Sequence, residues 1–300
     1  MKKILYKEHS MILLALITFS IAISCSKQSS TNSNTPPNPP QPPVTGPVIK
    51  YLKSAFATSP GNSNQFNYTY DNQHRLIKYT DTVVTASPSL NSVIEYNLNY
   101  TANDTLPDTY TVTIQQGSSG PITLTNSVSY NSSNQAIKDS TISSTLSNYP
   151  GIRTIYYEYA NNLMVAKTIY PYNSSGMELD SMILDNNGNE TKRIYRKLDQ
   201  SNNLIVWKIR TSNYATTRDQ FFNTAFGLAI AIVNNNGSRM NKNLESATTY
   251  TNYYDDGSVS EILNNSIQYT LDANGYILNY VLNETFAQGT SYLNVEYSYY

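Results

Sequence analysis

An aromatic strand that runs into an Asn/Asp turn, followed by an apolar strand that returns, recurs from Ile49 to the end of the chain. The first unit is Phe66-Asn-Tyr68-Thr-Tyr70, then Asp71-Asn72-Gln73-His74, then Leu76-Ile77-Lys78-Tyr79. Similar turns start after Tyr130, Tyr159, Leu184, Leu198, Tyr254 and Leu271. Thr101 to Tyr130 and Tyr130 to Tyr159 are each 29 residues. Between them fall turns of a second kind, at Ser87-Pro88-Ser89, Gly117 to Pro121, Tyr149-Pro150-Gly151 and Asn173 to Gly176. The chain therefore turns about every 15 residues, alternating between two ends of a sheet whose strands hold roughly seven to ten residues.

The period-2 alternation puts Phe66, Tyr68 and Tyr70 on one face and Asn67 and Thr69 on the other. Tyr is the compositional outlier, with 27 against 7 Phe and 1 Trp. That is a β composition, and too aromatic for a disordered chain. A broad sheet with little covering it gains apolar area from Tyr while the hydroxyls stay wet. Asn and Gly fit the positive-φ positions of hairpin turns. The sheet has to curl or protect its edges, because an open edge aggregates.

One segment departs from the pattern. In 219–233, Phe222, Phe226, Ile230 and Val233 fall at helical spacing, which predicts a short helix with one apolar stripe against a face of the curled sheet. The expected fold is all-β: a large curled antiparallel meander of repeated hairpins, spanning 49–300, with one short helical insertion near 219–233. The Tyr-x-Tyr-Asp/Asn-x-x-Gly/Asn-x-Leu/Ile units resemble degenerate YD repeats of the RHS kind. With Tyr253 to Gly257 and Leu271 to Ile277, they also resemble the C-terminal half of an uncharacterised lipoprotein family of Bacteroidetes. The units often lack the Gly and the Tyr-Asp pair. The resemblance implies an architecture and an envelope location, and no reaction.

The first 24 residues read as an address. Lys2, Lys3 and Lys7 precede the apolar run Met11–Ile23, and small Ser24 precedes Cys25. A charged start, a short apolar core and a small residue at the cut describe a secretory signal. Ala22-Ile23-Ser24-Cys25 resembles a bacterial lipobox, which implies cleavage between Ser24 and Cys25 and acylation of Cys25, the chain's one cysteine. Several acyl chains on one residue anchor stably. Residues 25–48 are then the lipidated cysteine and a Pro-rich tether, able to hold a domain up to roughly 70 Å from the membrane at about 3.1 Å per residue. The implied location is the outer membrane, with the periplasmic or surface side open.

Chemistry is sparse. The 20 Lys and Arg balance 21 Asp and Glu, which excludes the basic surface a nucleic-acid partner requires. After cleavage His74 is the one histidine, so neither a soft metal site nor a Ser–His–Asp or Cys–His nucleophile can be assembled. No cofactor motif is present. Glu95, Glu158, Glu178 and Glu296 are candidates for a two-carboxylate glycoside hydrolase only as carboxylates. Asp255-Asp256-Gly257 and Asp185 to Asn189 read as tight turns and not as Ca²⁺ loops. Thr82, Thr105, Ser140 and Ser181 each follow an Asp and precede an apolar residue or Thr, which resembles the O-glycosylation acceptor of Bacteroidetes envelope proteins. The expected function is a non-enzymatic envelope lipoprotein that binds a glycan, peptide or protein partner on its Tyr face. A structural shell or spacer and a glycoside hydrolase are the alternatives.

Overall fold

The computed structural model describes residues 50–101, 104–143, 152–170, 176–221, 224–234, 236, 240–287 and 289–300. Ser24, Cys25, the tether, Phe222, the turn at Tyr149 and residues 173–175 lie outside the described residues, as does the side chain of Val233. The strands are β1 (Leu52–Ser59), β2 (Asn62–Tyr70), β3 (Leu76–Thr85), β4 (Ser92–Asn99), β5 (Thr109–Gln116), β6 (Ile122–Tyr130), β7 (Ala136–Ser143) and β8 (Arg153–Ala160). They continue as β9 (Leu163–Ile169), β10 (Met177–Leu184), β11 (Glu190–Leu198) and β12 (Leu204–Arg218). Helix α1 (Ala225–Val233) follows, then β13 (Asn243–Tyr253), β14 (Val259–Leu271), β15 (Ile277–Phe286) and β16 (Gly289–Tyr299).

Each strand pairs antiparallel with its sequence neighbours, and β16 pairs with β1, for example Tyr297 opposite Ala55. The curled meander is thus a closed barrel of 16 strands. Closure gives every strand two partners and removes the sheet edge altogether.

Odd strands run away from one end of the barrel and even strands return to it. The Asx turns explain the sharp reversals. The Oδ1 of Asp71 accepts from the N–H groups of Gln73 and Arg75, both at 2.9 Å. Asn131, Asp185, Asp199 and Asp272 do the same two and four residues on. The fourth residue of each turn (His74, Asn134, Gly188, Asn202, Gly275) has positive φ. The strand register slips by one residue beside four of these turns, at Tyr70, Tyr130, Leu184 and Leu271. A turn followed by a left-handed residue and a bulge is a favoured longer hairpin. Two of the Asx-type turns, after Leu198 and after Tyr254, fall at the opposite end from the rest. The sequence pattern assigns turn chemistry correctly there but not the end of the barrel.

The end that carries residues 71–75, 100–108, 131–135 and 272–276 also carries Lys50, Tyr300 and α1. It is called the plug end below, and the other the mouth. Helix α1 is capped by Thr224, whose Oγ1 accepts from the Gly227 N–H at 3.0 Å. Phe226, Ala229, Ile230, Ala231 and Ile232 are all buried. A helix that is apolar all round is one enclosed on every side. The single stripe expected for it is therefore too narrow a description: the barrel wall surrounds the helix.

The two faces of the wall differ in kind. Tyr68, Tyr79 and Tyr96 sit opposite one another on β2, β3 and β4, pointing inward. Outward on β5 and β6 stand Thr109, Thr111, Thr113, Thr123, Thr125, Ser127 and Ser129. Charged side chains also face outward, including the Lys78–Glu95 pair at 2.7 Å, Lys138 and Glu158. A membrane-spanning barrel has the reverse pattern, and a Lys at the bilayer midplane costs about 2–4 kcal/mol. The outward face mixes these polar groups with exposed apolar side chains such as Phe56, Val93, Ile142 and Ile262.

Candidate functional site

Barrel diameter grows with strand number. Eight strands leave an interior that side chains fill, whereas about sixteen leave a channel. Here α1 fills part of that space at the plug end. Phe226 packs on Tyr68 (ring centroids 5.5 Å) and Tyr70 (6.0 Å), and Phe221 on Tyr276 (5.8 Å) and Tyr299 (6.3 Å). The connection is pinned from below. Asn189 Oδ1 accepts from the N–H groups of Lys242 and Asn243, and Arg193 donates to Asn236 Oδ1 at 2.9 Å. Farther along, inward-facing Ile94, Leu124 and Leu293 remain partly exposed, whereas Asn126, Thr141, Leu282 and Glu284 on the same face are buried. Part of the interior beyond the helix, toward the mouth, is therefore not filled by side chains.

Most of the tyrosines are accounted for inside, not on a wet outer face. Seven of them donate a hydroxyl to a main-chain carbonyl on the preceding odd strand or just before it. These are Tyr70 to Leu52, Tyr100 to Leu76, Tyr130 to Pro107, Tyr159 to Ala136, Tyr214 to Glu190, Tyr269 to Glu245 and Tyr299 to Ile277, at 2.6–2.9 Å. The expectation that the hydroxyls stay wet is corrected: they are paired with the backbone, as buried polar groups must be. Burial pushes the phenols of Tyr68, Tyr79 and Tyr110 well above their ordinary range.

The lumen wall from β10 to β13 is charged. Glu190 accepts from Arg193 at 2.6 Å and from Arg210 at 2.9 Å, and Arg210 also donates to Glu245 at 2.6 Å. Burial alone would lower the Arg193 and Arg210 guanidiniums. The carboxylates beside them reverse this and hold both firmly charged. Lys208, on the same inner face, points over three rings: Tyr250 at 4.5 Å, Tyr195 at 5.3 Å and Trp207 at 5.9 Å. Across the lumen, Tyr110 donates to Asp139 at 2.8 Å and Arg153 to Thr141 at 3.1 Å. Burial pushes Asp81 and Asp180 up to about 6.

The candidates read from sequence are dispersed. Thr82, Ser140 and Ser181 lie on the outer faces of β3, β7 and β10, while Asp81, Asp139 and Asp180 before them turn inward. Strand alternation separates each Asp from its hydroxyl neighbour. Ser181 accepts from Arg196 at 2.9 Å, and Thr105 is exposed in the β4–β5 loop. Of the four glutamates, Glu95, Glu158 and Glu296 point outward and Glu178 inward, so they form no facing pair. His74 stacks on Tyr51 at 4.4 Å. Asp255 pairs with Lys197 at 3.0 Å and Asp256 accepts from Ser258. Among the described residues no cluster of three or more His, Cys, Asp or Glu could hold a metal. The sequence reading missed Arg193, Lys208 and Arg210. Their inward facing is set by strand register, which no local motif marks.

No family model matches the chain, and no curated protein does. Among solved structures it is similar to a porin-like protein from Bacteroides vulgatus, with a TM-score of 0.45 and 11% identity over 84% of this chain and 99% of that one. A porin-like protein from Bacteroides uniformis is similar with a TM-score of 0.38 and 12% identity, over 82% of this chain and 98% of that one.

Proposed function

We propose that the protein is a non-enzymatic, lipid-anchored binding module of the cell envelope, which takes part of a glycan, peptide or protein partner into the lumen through the mouth. One observation carries this reading: past α1 some inward side chains of the 16-strand wall, Ile94, Leu124, Lys208 and Leu293 among them, stay partly exposed, while the plug end is sealed by α1 and the ring of tyrosines. Lys50 lies at the sealed end. A tether of residues 25–48 attached there would hold the mouth away from the membrane, and acylation at Cys25 would supply the anchor. The aromatic face is the face proposed to bind, now turned inward. The alternative, a shell or spacer, requires the lumen to be closed to solutes.

Thiol access separates the two. Leu293 faces the lumen on β16 and Asn294 faces water beside it. In the full chain, with the wild type setting the Cys25 background, Leu293→Cys should react with a small maleimide and not with a maleimide on a 5-kDa polymer. Asn294→Cys should react with both. A folded Leu293→Cys protein that the small reagent leaves unmodified refutes the binding reading and favours the spacer.

A further inference from the structure

Resting on the lumen reading, we infer that Lys208 is an anchor for a carboxylate group on the bound ligand. Lys208 enters the lumen from β12, opposite Tyr195 on β11 and Asn252 on β13. Its ammonium lies over the faces of Tyr250 and Tyr195 with Trp207 beside it. Ring faces stabilise a cation but offer no lone pair to its three N–H donors. Among the described residues no carboxylate comes within ion-pair distance and no hydrogen-bond acceptor is engaged. The other cations of this wall are satisfied: Glu190 and Glu245 are committed to Arg193 and Arg210. Lys208 is left without an ion-pair partner in a partly exposed, aromatic-walled recess. Arg210, two residues along the same inner face, adds a buried Nε with no partner.

The balance of charge points the same way. Burial of the ammonium, followed by the guanidiniums of Arg210 and Arg193, lowers the Lys208 pKa, and those two positive neighbours favour an added anion there over an added cation. Asp180 is the nearby carboxyl that would compete. Its charge works to raise the Lys208 pKa, against the guanidiniums, but it makes no ion pair with Lys208. A carboxylate brought in by a ligand would meet an ammonium that is already partly desolvated, which strengthens a charge-assisted hydrogen bond.

The chain's one tryptophan stands next to Lys208, so intrinsic fluorescence reports on the recess. Two matched pairs test the assignment on the full-length protein in detergent: D-glucuronate against D-glucose, and N-acetylphenylalanine against its amide. At least one acid should quench or shift Trp207 emission saturably, at least about tenfold more tightly than its neutral partner. Added salt should weaken that binding, Lys208→Met should abolish the preference, and Lys208→Arg should keep it. The pair that responds tells an acidic saccharide from a peptide carboxylate. If neither acid outperforms its neutral partner in the wild type, the assignment is wrong, even should Lys208→Met fail to fold. If Leu293→Cys labels normally in that case, the lumen reading survives and only the carboxylate anchor is lost.

Discussion

The hydroxyl of Tyr100, one residue past β4, donates to the carbonyl of Leu76, the first residue of β3, at 2.7 Å. The bond ties the end of one strand to the start of its neighbour at the plug end. The same relationship recurs from Tyr70, Tyr130, Tyr159, Tyr214, Tyr269 and Tyr299, with the two partners 18 to 24 residues apart. On β10 Leu184 stands in the corresponding place. Seven of the eight odd–even strand pairs are thus stitched at the base by a side chain that also fills the barrel.

Removing one stitch has a defined cost. Tyr100→Phe keeps the ring and leaves the Leu76 carbonyl without this donor. Loss of a hydrogen bond to a buried group is worth about 1–3 kcal/mol. The variant should unfold at lower urea with an unchanged dependence on denaturant. A midpoint equal to the wild type would show that the bond contributes nothing to stability.

Much of this fold is legible in the sequence because the repeat is local. Tyr70-Asp71 and Tyr130-Asn131 announce a strand end and its turn within a few residues, and the turns do reverse the chain there. Closure is not legible: pairing of Tyr297 with Ala55 joins residues at opposite ends of the domain, and nothing local distinguishes a curled sheet from a closed one. The lumen site is harder still. Lys208 and Arg210 alternate with Trp207 and Ile209 in a strand whose pairing with β11 skips Trp207, opposite Tyr195–Arg196, so which of them face inward depends on a register that only the paired strands fix. Tyr enrichment was visible, but the donors' partners are main-chain carbonyls, which carry no residue signature.

The charged wall should be brittle. Glu190, 3% exposed, holds Arg193 and Arg210 together. Glu190→Gln keeps the shape and removes the charge, leaving two guanidiniums in a buried site with one carboxylate, Glu245. Breaking a buried pair by removing one partner typically costs about 3–5 kcal/mol. Chemical denaturation should show a loss of that size, with little relief from added salt because the network is shielded from it. A loss under about 1 kcal/mol would mean that water reaches the pair.

The left-handed turn residues allow an internal comparison. Gly188 has φ of 86° with open space where a Cβ would sit, so substitution there is a matter of backbone strain alone. Asn134 and Asn202 already hold φ of 58° and 64° at the equivalent positions. Gly188→Ala should destabilise by about 1–2 kcal/mol, and Gly188→Asn by less. Thermal midpoints of the two variants give the order directly, and Ala tolerated as well as Asn would contradict it.

Asp81 makes stability depend on pH with an unusual sign. It points into the lumen, 5% exposed, with a single weak donor, Asn64 at 3.4 Å. Burial pushes its carboxyl up to about 6. Below about pH 4 the group is protonated in both the folded and the unfolded chain and makes no difference. Between about pH 4 and 6 the unfolded chain ionises while the folded barrel keeps the proton, so stability falls. Above about pH 6 the full penalty, up to about 3 kcal/mol, persists. Asp81→Asn removes the titration and keeps the shape. It should raise the melting temperature at pH 8, leave it nearly unchanged at pH 4, and flatten the slope between; equal slopes in the two proteins would remove Asp81 as the cause.

The polar outer wall carries a prediction about the membrane. Threonines and serines of β5 and β6, with Lys78, Glu95 and Lys138, stand on the surface that a bilayer-spanning barrel would give to lipid, alongside exposed apolar residues such as Val93 and Ile142. If Cys25 is the sole anchor, replacing residues 1–25 with a conventional cleavable secretion signal should release the remaining chain. It should then partition into the aqueous phase of a detergent cloud-point separation, folded and rich in β structure by circular dichroism, while the natural chain follows the detergent. A released chain that still requires detergent to stay folded would show that the wall itself contacts lipid, against the cost of about 2–4 kcal/mol for each lysine placed at the midplane.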